Sequence, residues 1–155
     1  MSETATQMPN EVASLLIPLG DGSMLVPNTN VAEIVPFLEP ESVEGKPDWL
    51  LGMINWRDLS LPCISFEQCS SGLDDRTFKK ERIAIFNTVN ASGTSAFYAL
   101  VIRGIPRLVR VVEEDIVDDE GVCSVVEQMK IKLNGESALI PNLVALERVI
   151  ADAMA

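Results

Sequence analysis

Residues 49–66 read Trp49-Leu50-Leu51-Gly52-Met53-Ile54-Asn55-Trp56-Arg57-Asp58-Leu59-Ser60-Leu61-Pro62-Cys63-Ile64-Ser65-Phe66. Two apolar runs, Trp49–Ile54 and Leu59–Phe66, flank the turn-forming tetrad Asn55-Trp56-Arg57-Asp58. Runs this short are the length of strands, and Asn and Asp are residues that suit a tight reversal. The stretch therefore predicts two antiparallel strands joined by a turn.

The same grammar continues outward in both directions. Toward the N-terminus, Ser14–Leu19, Gly20-Asp21-Gly22-Ser23 and Met24–Val26 predict a hairpin, and Val31–Phe37 predicts a strand. Strict alternation would place Val31, Glu33 and Val35 on one side of that strand and Ala32 and Ile34 on the other. An acidic, Pro-containing loop, Glu39–Asp48, leads into the central stretch. Toward the C-terminus, Gln68–Glu81 reads as a polar linker. Arg82–Asn90 and Ser95–Ile102 predict a hairpin around Asn90-Ala91-Ser92-Gly93-Thr94, and Ile105–Val112 follows as a strand. Ala138–Ile140 reads as a last strand. Pro141-Asn142 then opens a helix over Leu143–Ala153, where Leu143, Leu146, Val149 and Ile150 recur at helical spacing. Short strands with regular turn signals make the chain all-β, a sandwich or barrel, with one C-terminal helix.

There is also an internal echo. Met24–Val35 and Ala99–Val109 each run strand, polar turn, strand, with apolar residues at the first and fourth positions after the turn. It suggests two small β subdomains built alike.

Composition sets the outer limits. With 155 residues and 47% apolar side chains, the chain suffices for one domain or two very small subdomains sharing a core, and it is too apolar for a disordered protein. No apolar run approaches the roughly 20 residues of a membrane-spanning helix. The net charge of −11 argues against nucleic acid as a partner, because phosphate affinity needs clustered Lys and Arg. The first residues, MSETATQMPNE, lack the basic region and apolar core of a secretory signal. Residues 1–12 are expected to be a flexible tail, 13–155 a single domain, and the protein cytoplasmic.

Catalysis finds little to stand on. The chain has no histidine, so His-activated nucleophiles and most zinc geometries are excluded. Cys63, Cys69 and Cys123 form no paired spacing, and Cys63, inside an apolar run, reads as a buried inert thiol. Glu113–Glu120 holds six acids in eight residues but lacks the calcium-loop pattern, and reads as a solvated acidic turn. The glycines are scattered rather than gathered into a phosphate loop. No enzyme, metal or cofactor is expected.

The central stretch resembles the CheW-like domain of bacterial chemosensory systems. That family shows an apolar pair, Gly, two apolar residues, Asn, an apolar residue, Arg, Gly, and then an apolar strand holding a Pro and ending in Asp. Trp49–Phe66 matches nearly every slot, and the resemblance extends through the opening hairpin, Val31-Ala32-Glu33-Ile34, Phe97–Val109 and Leu139–Val149. Three slots depart: Asp58 stands for Gly, Ser65 for Asp, and Arg103 for the usual Asp of a later turn. These changes suggest a specialised paralogue with altered partner-facing charges, one serving a pilus-linked chemosensory pathway being an example.

The resemblance implies two small five-stranded β barrels packed side by side over a shared apolar core. It implies a non-catalytic adaptor whose groove grips the cytoplasmic tip of a chemoreceptor while a separate surface packs on the regulatory domain of a histidine kinase. Other CheW-like proteins are further partners, and recruitment to membrane-associated receptor arrays needs no insertion of this chain. Val31 matches a receptor-contacting position, with Glu33 as a neighbouring anchor; an ordinary core Val and a solvated Glu are the alternative. Arg57 matches the family's turn arginine, where its guanidinium would tie loop carbonyls together or touch a partner, and Asn55 is a turn former. Arg103 and Gly104 match the second barrel's turn, with Arg103 either pairing with a partner's carboxylate or simply solvated. Trp49 and Trp56 read as core and staple, unless Trp56 is exposed as an interface anchor. A competing function is a small β-barrel module that binds a small ligand or regulates an enzyme without engaging receptors.

Overall fold

The computed structural model describes residues 11–20, 22–72, 80–89 and 96–155. Among these residues eleven strands and two α-helices follow in the order β1 (Val12–Leu19), β2 (Gly22–Pro27), β3 (Val31–Pro36), β4 (Leu50–Trp56), β5 (Leu59–Ile64), α1 (Phe66–Ser71), β6 (Arg82–Asn87), β7 (Phe97–Ile102), β8 (Arg107–Val111), β9 (Ile116–Asp118), β10 (Glu127–Leu133), β11 (Glu136–Pro141) and α2 (Leu143–Met154). They form a six-stranded sheet, β8-β1-β2-β11-β10-β9, and a five-stranded sheet, β3-β6-β7-β5-β4. The all-β expectation with one C-terminal helix of any length holds. The strand count differs by the three-residue β9, which adds a sixth strand to the first unit.

Each sheet curls around a core of its own. Leu16, Leu25, Val111, Ile131, Leu133 and Ala138 cluster inside the six-stranded sheet. Ile54, Trp56, Leu61, Cys63, Ile83, Ile85, Ala99 and Val101 cluster inside the five-stranded one. Period-two alternation sends the other faces of the same strands into a third, shared core. There Ile17, Met24 and Val26 of the first sheet meet Leu50, Ile64, Phe86, Tyr98, Leu100 and Ile102 of the second. Leu146 and Ile150 of α2 are buried in that shared core, and Leu143 and Val149 pack against it.

The chain crosses between the sheets where the echo lies. β2 leads into β3 across one boundary, and β7 leads into β8 across the other. The repeated pattern therefore marks the two crossovers.

Local chemistry sets the ends of the elements. Gly52 at the edge of the second sheet has φ +147°, and a Cβ there would stand 2.2 Å from the Glu41 carbonyl oxygen, so the loop before β4 lies directly on the glycine. That loop bonds to the strand in both directions, Glu41 N to Met53 O and Met53 N to Glu41 O, each at 2.8 Å. α2 starts at Asn142, whose side chain accepts from Ala145 N at 3.0 Å, and Lys46 Nζ donates to Ala153 O at its far end. Glu147, buried on α2, accepts from Val89 N at 2.7 Å and so holds the helix to the end of β6.

Several expectations move. Phe66 opens α1 rather than ending a strand, and part of the expected polar linker is this helix. Part of the acidic run is β9 rather than a turn throughout. β10 is an additional strand, in which Met129, Ile131 and Leu133 alternate with polar residues before an Asn134-Gly135 turn where both residues have positive φ. The tail boundary shifts too, since Val12 already pairs with Val111. The rest of the expected tail (1–10), Asp21 of the first turn, linker residues 73–79 and turn residues 90–95 lie outside the described residues.

Candidate interaction site

β4 and β5 reverse through Arg57 (φ +49°) and Asp58 (φ +64°), with Trp56 paired to Leu59. Two successive left-handed residues make the mirror-image turn that suits the twist of a hairpin. Asp58 fills the glycine slot because Asp tolerates that conformation better than most residues. Asn55 is not in the turn; it is an exposed β4 residue opposite Ser60.

The turn places Trp56 and Arg57 against Glu33 of β3. Trp56 Nε1 donates to Glu33 Oε1 at 2.9 Å, and Arg57 donates to the same oxygen at 3.2 Å. The guanidinium carbon stands 4.7 Å from the centre of the Trp56 ring, and Phe97 meets that ring edge-on at 4.8 Å. Trp56 is 9% exposed, whereas the Arg57 side chain is 69% exposed and the Glu33 side chain 40%. Of the two roles that the sequence leaves open for this arginine, tying loop carbonyls or touching a partner, the first is not taken up. The guanidinium sits on an indole and beside a carboxylate, its remaining donors facing solvent.

Val31 and Glu33 do not share a face. Val31 pairs with Phe86 and Glu33 with the adjacent Ile85, so the strand carries a bulge between them. A bulge inserts one residue and breaks the alternation. Val31 and Ile34 consequently pack on the shared core, while Val35 packs on the second sheet's own core and Glu33 reaches Trp56.

Arg103 is not a solvated arginine. Its side chain is 6% exposed, and Nε lies 3.3 Å from Oε2 of Glu67, itself 1% exposed. Gly20 N donates to that same oxygen at 2.7 Å, and Arg103 N donates to Pro18 O. The pair binds α1, the β1–β2 turn and the start of the β7–β8 link into one knot. Gly104 follows under Pro18, where an added Cβ would come within 3.3 Å of the proline ring. The Arg103 side chain thus belongs to the joint of the two sheets, and the half-buried Gly104 lies at its rim. Nothing local marks Glu67 as Arg103's partner, since it stands between Phe66 and the polar Gln68, and its proximity depends on tertiary structure.

Ser65 also finds an internal explanation. It caps α1, its hydroxyl accepting from Gln68 N at 3.3 Å, and Asp is an equally good cap. All three departures from the family pattern are therefore satisfied within the chain.

Nothing in this region resembles a reaction centre. Cys63 is fully buried, and burial pushes its thiol up to about 12. Burial likewise raises Cys69, to about 11. Among the described residues no group of His, Cys, Asp and Glu is placed to hold a metal ion, and no helix is long and apolar enough to cross a membrane. In the acidic run, Asp115 accepts from Val112 N and Asp118 from Glu120 N.

Comparison with known proteins gives a consistent answer. The scaffolding protein TtCheW from Thermoanaerobacter tengcongensis superposes with a TM-score of 0.70 at 17% identity, over 86% of this chain and 89% of that one. At that identity the likeness speaks to fold alone. Comparison with curated proteins gives no match. The family model described as the CheW-like domain matches residues 13–149, nearly the whole length. The chain belongs to the CheW-like domain family.

Proposed function

We propose that this chain is a non-catalytic adaptor of a chemosensory pathway, joining the cytoplasmic tips of chemoreceptors to the regulatory domain of a histidine kinase. The observation that carries the reading is the Glu33–Trp56–Arg57 cluster. It fixes the Arg57 cation of the β4–β5 turn against the Glu33 carboxylate of β3, beside the exposed Leu59. A preset polar pair next to apolar surface favours recognition of a folded partner. Family membership supports the same reading. Val31, half-buried at the joint of the sheets, is the proposed apolar contact and Arg57 the polar one, with Glu33 beside it. Arg103, its side chain paired with Glu67 at the other end of β7, and the half-buried Gly104 lie apart from this surface, and cytoplasmic location follows from the role.

The competing small-ligand reading has one observation in its favour, an apolar cavity of about 570 Å³ lined by Val12, Leu25, Val111, Val112, Ile116 and Ile140 at one end of the six-stranded sheet. Pull-down against isolated receptor tips and against the kinase's regulatory domain separates the two. The adaptor retains both. Retention of neither at about 100 μM, a concentration that reveals even weak binary contacts, contradicts it.

A further inference from the structure

The six-stranded sheet is open at one end. Its edge strands β8 and β9 do not pair with each other; residues 112–115 join them through a single 3-10 turn, Glu113–Asp115. Leu25 and Val111 of the sheet's own core, with Ile116 and Ile140 packed against that core, therefore line the cavity of about 570 Å³ that opens there. Ligand pockets commonly hold about 300–1,000 Å³, and the mouth of a β barrel is one of their usual places. The turn at the rim is braced: the Asp115 carboxylate accepts from Val112 N at 3.2 Å, and Asp115 N donates to Val112 O at 3.0 Å.

The lining limits what fits. It is aliphatic and holds no aromatic ring, and its one hydroxyl, on the buried Ser14, already donates to Val12 O at 3.3 Å. Such walls suit a saturated chain better than a body rich in hydrogen-bonding groups, which would be buried unpaired. The mouth carries the opposite chemistry. Exposed Glu113 stands in the lining, with Asp115 in the same turn. Arg110, the basic residue closest to them in sequence, is matched by Glu11 at 3.8 Å. On a chain of net charge −11, this mouth attracts a cation and repels a carboxylate or phosphate.

We propose that this cavity binds a small amphiphile, an aliphatic chain with an ammonium head. The chain enters between β8 and β9 against Leu25, Val111, Ile116 and Ile140, and the ammonium rests at Glu113. The site lies on the six-stranded sheet, whereas the Trp56–Arg57 turn belongs to the five-stranded one, so it adds a second function and does not depend on the adaptor reading.

The experiment titrates the whole chain with octylamine, 1-octanol, octanoate and butylamine, reading affinity by calorimetry and location by methyl NMR. Octylamine should bind about tenfold more tightly than octanoate, with octanol between them. Butylamine, four methylenes shorter, should bind about 100-fold more weakly than octylamine. The shifted methyls should be those of Leu25, Val111, Ile116 and Ile140. Glu113→Gln, at an exposed position, should leave octanol binding unchanged and remove most of the preference for the amine. Octanoate binding as tightly as octylamine, an unchanged preference in Glu113→Gln, or shifts centred elsewhere would overturn the proposal. So would the absence of octylamine binding at about 1 mM, the limit of a weak complex. Contacts to the same methyls from residues 1–10 or from a second copy, persisting with octylamine present, would assign the cavity to that occupant instead.

Discussion

Trp56 and Glu33 stand on the opposite edge strands of the five-stranded sheet, β4 and β3, yet the indole Nε1 lies 2.9 Å from the Glu33 carboxylate. The sheet is therefore rolled until its edges meet, and one side-chain hydrogen bond spans the closure. An exposed edge invites wrong pairing, so closing it protects the fold as well as shaping the site. The six-stranded sheet curls in a related way, with Arg107 of β8 lying 3.0 Å from Glu136 of β11, beyond the intervening β1 and β2.

Replacing Trp56 with Phe keeps an aromatic ring against Phe97 but removes the N–H that joins the edges. Stability should fall by about 1–2 kcal/mol in urea titrations, the range for one lost hydrogen bond plus a small packing defect. A change below about 0.3 kcal/mol would show that the edges are held by packing alone.

Arg57→Ala should behave differently. The pair with Glu33 is exposed on both sides, and such pairs contribute about 0–1 kcal/mol. The melting temperature should stay close to that of the parent protein, and the loss should appear in partner binding. Marked melting would restore the turn-bracing role first read from the sequence.

Arg103→Ala is the contrasting case. It leaves Glu67, 97% buried, without its cation, and breaking a buried pair from one side costs about 3–5 kcal/mol. Thermal unfolding measures it, and a loss under about 1 kcal/mol would mean that Glu67 is satisfied without Arg103.

How much of this was legible depended on whether the determinant was local. The hairpin of residues 49–66 could be read because turn and strands are contiguous, and α2 because its apolar stripe repeats over three turns. The face of Val31 departs from strict alternation because a single inserted residue in β3 reverses it, and no local signal announces a bulge. β10 is harder to read because Lys130 and Lys132 leave it without the continuous apolar run that marks most of the other strands, so its period-two alternation is the only signal. The partners of Arg57 and Arg103 lie 24 and 36 residues away, and only the closure of the sheets brings them into reach.

The loop at Gly52 offers a fourth test. Gly52→Ala introduces a Cβ into the Glu41 carbonyl at a positive φ, combining overlap with backbone strain. A loss of about 2–4 kcal/mol is expected by denaturant unfolding. A neutral substitution would mean that residues 41–42 move away freely.

The thiols give a pH signature. Cys63 is protonated when folded up to about pH 12, but the unfolded thiol ionises near 9. Between those values the unfolded state binds fewer protons, so stability falls as pH rises, with Cys63 contributing about 1.4 kcal/mol per unit. Cys63→Ala should flatten that part of the alkaline limb, at a packing cost of about 1–2 kcal/mol and with partner binding unchanged. An identical alkaline limb in the variant would contradict the burial of this thiol.

The central claim is that one chain holds receptor and kinase together, and a three-component assembly measures it directly. Receptor tips are immobilised, the kinase's regulatory domain is added, and its retention is read with and without this protein. The account predicts that the kinase domain is retained only when this protein is present, and that Arg57→Ala releases both together. Retention independent of this protein, or capture of one partner that displaces the other, would contradict it.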